Sequence, residues 1–180
     1  MIYLTKELIE KGETEYSIRN RVSNGTLFSI EHGVYSDNPH PFVNEVYISK
    51  KYPNAIFTGL SAFFIYGLTD HIPDSFYLAT EQHSFPIRRV DVSQSYQDPS
   101  FFLVGKTPFK YDDGTINIYD LERMLIELMR LKEKYPPEIY YEIISSFRKI
   151  KNKLDFYKIN EYAKHFDNCN SLLQRIKEII

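Results

Sequence analysis

The sequence predicts an α+β fold, and three observations along its 180 residues carry that prediction. Residues 17–36, SIRNRVSNGTLFSIEHGVYS, read as a helix that stops at a glycine and turns directly into a narrow hairpin. Residues 55–120 break into short runs of β-branched and aromatic residues separated by turn signals, the pattern of strands around one helix. From Leu121 onward apolar residues recur at helix spacing in four successive stripes.

The elements follow in order. LTKELIEKG, residues 4–12, forms a helix directly before the one at residues 17–24. In the second helix Ile18 and Val22, four apart, face a core together, and Asn24-Gly25 ends it as a left-handed cap. Leu27, Ile30 and Val34 supply two short strands, and His32-Gly33 sits where the chain reverses. This is the outline of a winged helix over residues 1–37, truncated at its first helix because residues 4–12 already fill the second helical position. SDNPHP, residues 36–41, interrupts helix and strand alike and marks the boundary of a second domain, residues 41–180.

That domain opens with a helix at residues 41–52, with Phe42, Val46 and Ile48 turned inward, and a buried strand at residues 55–59. LSAFFIYGL is the next helix, stopped by Gly67. SFYLAT, FPIRRVDVS and SFFLVGK, within residues 75–106, read as strands. TINIYD is one more, closed by Asp120, which caps the helix after it. The stripes are Leu121, Met124, Leu125, Leu128 and Leu131; then Ile139, Ile143, Phe147 and Ile150; then Phe156, Ile159, Ala163 and Phe166; then Leu172, Leu173, Ile176 and Ile180. They are core positions rather than cofactor boxes.

Composition narrows the class. Hydrophobic residues make up 43% and aromatics 16%, too much apolar material for a disordered chain. One cysteine, Cys169, rules out an intrachain disulfide and points to a reducing compartment. No signal-peptide core and no stretch of about 20 apolar residues is present, so a cytoplasmic protein with no membrane span is expected. The formal net charge is −2, and any nucleic-acid contact must come from local patches.

The second helix has the chemistry of such a patch. Arginine bonds guanine edges and phosphates and asparagine bonds adenine, which makes Ser17, Arg19, Asn20, Arg21, Ser23 and Asn24, with His32 on the wing, the candidate DNA-binding residues. Charge weighs against them: over residues 1–36, Lys6, Lys11, Arg19 and Arg21 stand against Glu7, Glu10, Glu13, Glu15 and Glu31, a net −1. RKIKNK supplies Arg148, Lys149, Lys151 and Lys153, read first as a solvated helix end and second as phosphate-backbone contacts.

Catalytic patterns are sparse, and no catalytic residue, metal or cofactor is expected. Asp70, His71 and Asp74 have metal-ligating side chains but sit in a proline loop that reads as a connection. Pro73-Asp74 followed by Glu81-x-His83 faintly resembles the carboxylate arrangement of Mg²⁺-dependent nucleases, with a histidine in place of lysine. A nuclease carrying a winged-helix reader is therefore the enzyme alternative.

Three stretches resemble one family. The passage ending in GVYS, Gly33 to Ser36, resembles the "R-G-x-Y" run that follows the recognition helix of the AbiEi antitoxins of type IV toxin–antitoxin systems. GLSAFFIYGLTDHIPDSFYLAT, residues 59–80, resembles their "S-A-L-x-x-H-G-L-T … P" helix and strand, with Tyr66 at the histidine position. IYDLERMLIELMR, residues 118–130, resembles their "x-P-E-R-T-L-x-D" helix, with Met124 for threonine and Glu127 for aspartate. The resemblance implies a winged helix that represses its own operon at inverted repeats in the promoter. It also implies a larger domain that neutralises an AbiEii-like nucleotidyltransferase toxin encoded beside it, in phage defence by abortive infection, with or without a stable complex. A protein-interaction module that has lost DNA binding remains the other alternative, favoured by the acidic balance.

Overall fold

The computed structural model describes residues 1–39, 44–112 and 114–180. It is a mixed α+β protein with a helical carboxy-terminal part and two open sheets. The chain divides into two compact units, Met1–Tyr52 with Lys110–Thr115, and Pro53–Phe109 with Ile116–Ile180.

In the first unit β1 (Ile2–Leu4), α1 (Thr5–Glu10), α2 (Glu15–Ser23), β2 (Phe28–Glu31) and β3 (Val34–Ser36) form a helix-turn-helix with a hairpin wing. The sheet is antiparallel in the order β1-β3-β2, with Tyr3 opposite Tyr35 and Phe28 opposite Ser36. Leu8, Ile18 and Leu27 are its buried core, and Tyr3, Val22 and Tyr35 pack against them. Helix α2 starts in a reciprocal cap between Thr14 and Ser17. It ends in two bonds of a left-handed terminus, Gly25 N–H to Val22 at 3.2 Å and Thr26 N–H to Arg21 at 3.0 Å, with Gly25 at φ +68°.

The division falls at Tyr52–Pro53, later than residues 36–41, part of which lies outside the described residues. Helix α3 (Glu45–Lys51), capped by Asn44, accordingly belongs to the first unit. Lys50 Nζ donates to the Ile2 carbonyl at 2.6 Å and to Glu7 at 3.0 Å, and both Tyr47 and Lys51 bond Glu31. Val46 and Ile48 are buried as expected, whereas Phe42 lies outside the described residues.

In the second unit β4 (Ile56–Phe57), α4 (Gly59–Ile65), β5 (Phe76–Glu81), β6 (Val92–Gln97), α5 (Pro99–Phe102), β7 (Lys106–Tyr111) and β8 (Gly114–Tyr119) build a five-stranded sheet in the order β6-β5-β4-β8-β7. The tip of the β7–β8 segment is counted with the first unit. Strand β4 runs antiparallel to β5 and parallel to β8, and β5 runs parallel to β6. Helices α6 (Leu121–Arg130), α7 (Pro137–Lys149), α8 (Phe156–Ala163) and α9 (Cys169–Ile179) complete it.

Two expectations need correction here. SFFLVGK is not a strand, because Asp98 accepts the Ser100 N–H at 2.8 Å and Pro99 supplies the first helical position, which together start α5. FPIRRVDVS is strand only from Val92, and the strand continues through the polar SQSYQ. Asp120 does cap α6, accepting the Arg123 N–H at 2.9 Å. Helix α6 goes beyond its stripe: residues 122 to 129 are all buried, Glu122, Arg123 and Glu127 included, because α4, α8 and α9 all pack on it.

Candidate functional site

The α2 surface is the first candidate. Around the helix, 100° per residue places Tyr16, Asn20 and Ser23 opposite buried Ile18, with Arg19 and Asn24 flanking them. All five are exposed, and Tyr16 is 74% exposed. The structure thus brings Arg19, Asn20, Ser23 and Asn24 onto one outward face and adds Tyr16, whose position opposite Ile18 is the signal that finds it. His32 is exposed in the turn of the wing. Two other predicted contacts are spent inside the fold. Ser17 closes the N-terminal cap and donates to Glu13 at 3.1 Å. Arg21 reaches back across the interhelical turn to a half-buried ion pair with Glu13.

Cations of this unit are largely matched by acids. Lys6 faces Glu10 at 3.8 Å, Arg19 faces Glu15 at 3.4 Å, Lys50 faces Glu7 at 3.0 Å and Lys51 pairs with Glu31. Lys11 lies over the Tyr3 ring, 4.7 Å from its centroid. The Arg19–Glu15 pair is fully solvated and weak, so Arg19 can turn to a phosphate at little cost. The partly buried pairs are not so easily redeployed.

Of the carboxy-terminal basic residues, Arg148 donates from Nε to the Ile179 carbonyl at 2.6 Å and so ties α7 to the end of α9. Lys149 ends α7, and Lys151 and Lys153 lie on the 3₁₀ turn after it, exposed and with no acidic partner at ion-pair distance among the described residues.

The acidic loop is a connection held from α7. Glu142 accepts the Thr69 hydroxyl at 2.9 Å and the Asp70 N–H at 2.7 Å, and Asp74 accepts the Tyr77 hydroxyl at 3.2 Å. Among the described residues no group of three His, Cys, Asp or Glu side chains is arranged to hold a metal ion, so neither Asp70, His71 and Asp74 nor Asp74, Glu81 and His83 gains support as a metal centre.

The second candidate lies around α6. Arg123 is fully buried, with Nε and Nη2 at 2.9 and 2.8 Å from Glu127 Oε1, and Nη1 donating to the Phe101 and Val104 carbonyls at 2.9 and 3.2 Å. Nη2 meets the carboxylate as an ion-pair contact without hydrogen-bond direction. The guanidinium is packed among the rings of Phe101, Tyr119 and Phe166, centroids at 5.3, 4.7 and 4.7 Å. Glu127 is shared with Arg130 at 3.0 Å, and Arg130 stacks on Phe166 at 4.1 Å. Gly105, at φ +80°, lets the backbone pass so close that a Cβ there falls 2.5 Å from Arg123 Cβ. The sequence named Glu127 only as a departure from a family pattern; a charged pair four apart inside an apolar stripe is the signal for this buried network.

The fold is similar to that of the RV2827C protein from Mycobacterium tuberculosis, with a TM-score of 0.59 over 97% of this chain and 71% of that one. At 12% identity this is a likeness of fold. No family model and no curated protein matches the chain. Among the described residues no helix is long and apolar enough to cross a membrane.

Proposed function

We propose that this chain is a cytoplasmic antitoxin of the AbiE type, which neutralises a nucleotidyltransferase toxin encoded beside it and represses its own operon through the first unit. One observation carries the reading. Two of the three stretches that resemble the family lie about fifty residues apart and meet in space: the Tyr66 hydroxyl donates to the Tyr119 carbonyl at 2.9 Å, and α4 packs against α6. The third stretch contains β3, the central strand of the winged unit. The residues of the resemblance are thus the joints of both units.

Repression rests on Tyr16, Arg19, Asn20, Ser23 and Asn24. With most cations of the unit paired to acids, few phosphates are neutralised, so DNA affinity is weak and falls only shallowly with added salt. That same pairing favours a second reading, in which the first unit is a protein-interaction module.

Co-expression with the neighbouring nucleotidyltransferase tests the proposal, and restored growth is the expected result. Continued arrest with a well-expressed, folded full chain overturns the antitoxin reading. A mobility shift on the chain's own promoter tests the repressor arm, with Asn20→Ala expected to weaken binding by about 1–3 kcal/mol at one operator position. No shift at low salt removes that arm and leaves the interaction module.

A further inference from the structure

The second unit holds a cleft of about 660 Å³ beside the α6 network, within the range of roughly 300–1,000 Å³ typical of small-molecule sites. One wall is β6 and β5. Their parallel register sets Tyr77 beside Ser93, Ala79 beside Ser95 and Glu81 beside Gln97, so Ser93, Ser95 and Gln97 share one face of the sheet with Tyr77. That face looks into the cleft, where a sheet covered by helices ordinarily presents apolar side chains. Hydroxyls and an amide stand there instead.

The opposite wall is cationic. Arg130 and Lys134 line it, and the sole carboxylate among the lining residues is Glu127. Glu127 already neutralises Arg123, which is buried behind it, and also contacts Arg130. Lys134 is exposed with no acidic partner at ion-pair distance among the described residues. Among the lining residues two cations stand against one carboxylate, a net +1 around a partly enclosed space, and that carboxylate is already engaged by the buried Arg123. Arg130, its side chain 30% exposed, shares its carboxylate with the buried Arg123, so an anion in the cleft completes its neutralisation, and the solvated Lys134 adds a second positive charge for that anion to meet. Arg130 is pre-positioned by its stacking on Phe166, so its remaining N–H groups can meet a phosphate at small entropic cost.

We propose that this cleft binds a phosphorylated ligand of nucleotide size, its phosphate held by Arg130 and Lys134 and its polar remainder by Ser93, Ser95 and Gln97. A free nucleotide and the 5′-terminal nucleotide of an RNA present the same chemistry. The site stands independently of the antitoxin reading, since its test is a direct titration.

Calorimetric titration of the full chain with the four nucleoside monophosphates, with adenosine, and with a short 5′-phosphorylated oligoribonucleotide decides it. At least one phosphorylated probe binds and adenosine does not. Arg130→Gln and Lys134→Gln each weaken binding by about tenfold or more, while Lys177→Gln, exposed on α9 and away from the cleft lining, leaves it unchanged. Among the described residues Lys134 makes no side-chain hydrogen bond or ion pair, so its variant reports on binding with the structure intact. A tighter oligonucleotide assigns the phosphate to an RNA end and a tighter mononucleotide assigns it to a free nucleotide; either supports the site. No binding by any phosphorylated probe, adenosine binding as well as AMP, or affinities unchanged in both variants overturns it.

Discussion

Removing Glu127 is the sharpest perturbation of the α6 network. Its carboxylate is the counter-charge for Arg123, which is fully buried, and for Arg130, whose side chain is 30% exposed. Glu127→Met therefore strands one guanidinium in the interior, and breaking a buried pair from one side costs about 3–5 kcal/mol. Arg123→Met acts differently: Glu127 keeps Arg130, but the Phe101 and Val104 carbonyls lose their donor, at roughly 1 kcal/mol or more apiece. When both are replaced by methionine no charge is left stranded, so the double variant is less damaging than the sum of the singles by about 2 kcal/mol or more. Urea unfolding followed by circular dichroism reads all four proteins. With a slope of about 1–3 kcal/mol per molar, Glu127→Met lowers the midpoint by at least about 1 M. A loss below about 1 kcal/mol for Glu127→Met, or strict additivity in the cycle, refutes the account of a charge network that must be kept or removed whole.

Two further predictions concern the elements that hold α6. Gly105→Ala places a Cβ 2.5 Å from Arg123 Cβ at φ +80°, and the melting temperature falls by about 2–4 °C for each kcal/mol lost; an unchanged melting temperature contradicts the close approach. Burial holds the Asp120 carboxyl above the ordinary aspartate range, against the lowering effects of the Arg123 N–H and the Tyr162 hydroxyl. The folded state then keeps its proton more firmly than the unfolded chain. This contribution to stability is complete below the ordinary aspartate value and is lost as pH rises through the higher folded value. Asp120→Asn retains an acceptor at the cap and loses this slope, and urea midpoints measured across the acid range for both proteins must diverge.

What could be read from the sequence was what neighbours in the chain decide. Ile18 and Val22 are one turn apart, Gly25 and Gly33 each serve a local reversal, and Asp120 bonds an amide three residues on, so the elements they define stand where the pattern puts them. The rest depends on partners far along the chain. Strand β1 is three residues long and exists through β3, more than thirty residues later. The apolar run in SFFLVGK is compatible with either state, and Asp98 with Pro99 decides it. Arg21 has the right chemistry for a groove, and a contact across the interhelical turn takes it away. The burial of α6 on every side follows from three helices arriving from different parts of the sequence. Its cleft likewise needs β6, which carries too few apolar residues to announce a strand.

The path of the chain through the two units sets how they can be separated. It passes from one to the other at Tyr52–Pro53, returns at Phe109–Lys110, and leaves again at Thr115–Ile116. The returning segment is an integral part of the first unit, since a Cβ on Gly114 falls 2.4 Å from Val46. A single cut after residue 52 therefore releases an incomplete winged unit and leaves an orphaned loop in the remainder. Exchange of the first unit between relatives by recombination at one point is blocked. Inheritance has to keep both pieces together or alter them residue by residue, and a laboratory chimera needs three junctions rather than one.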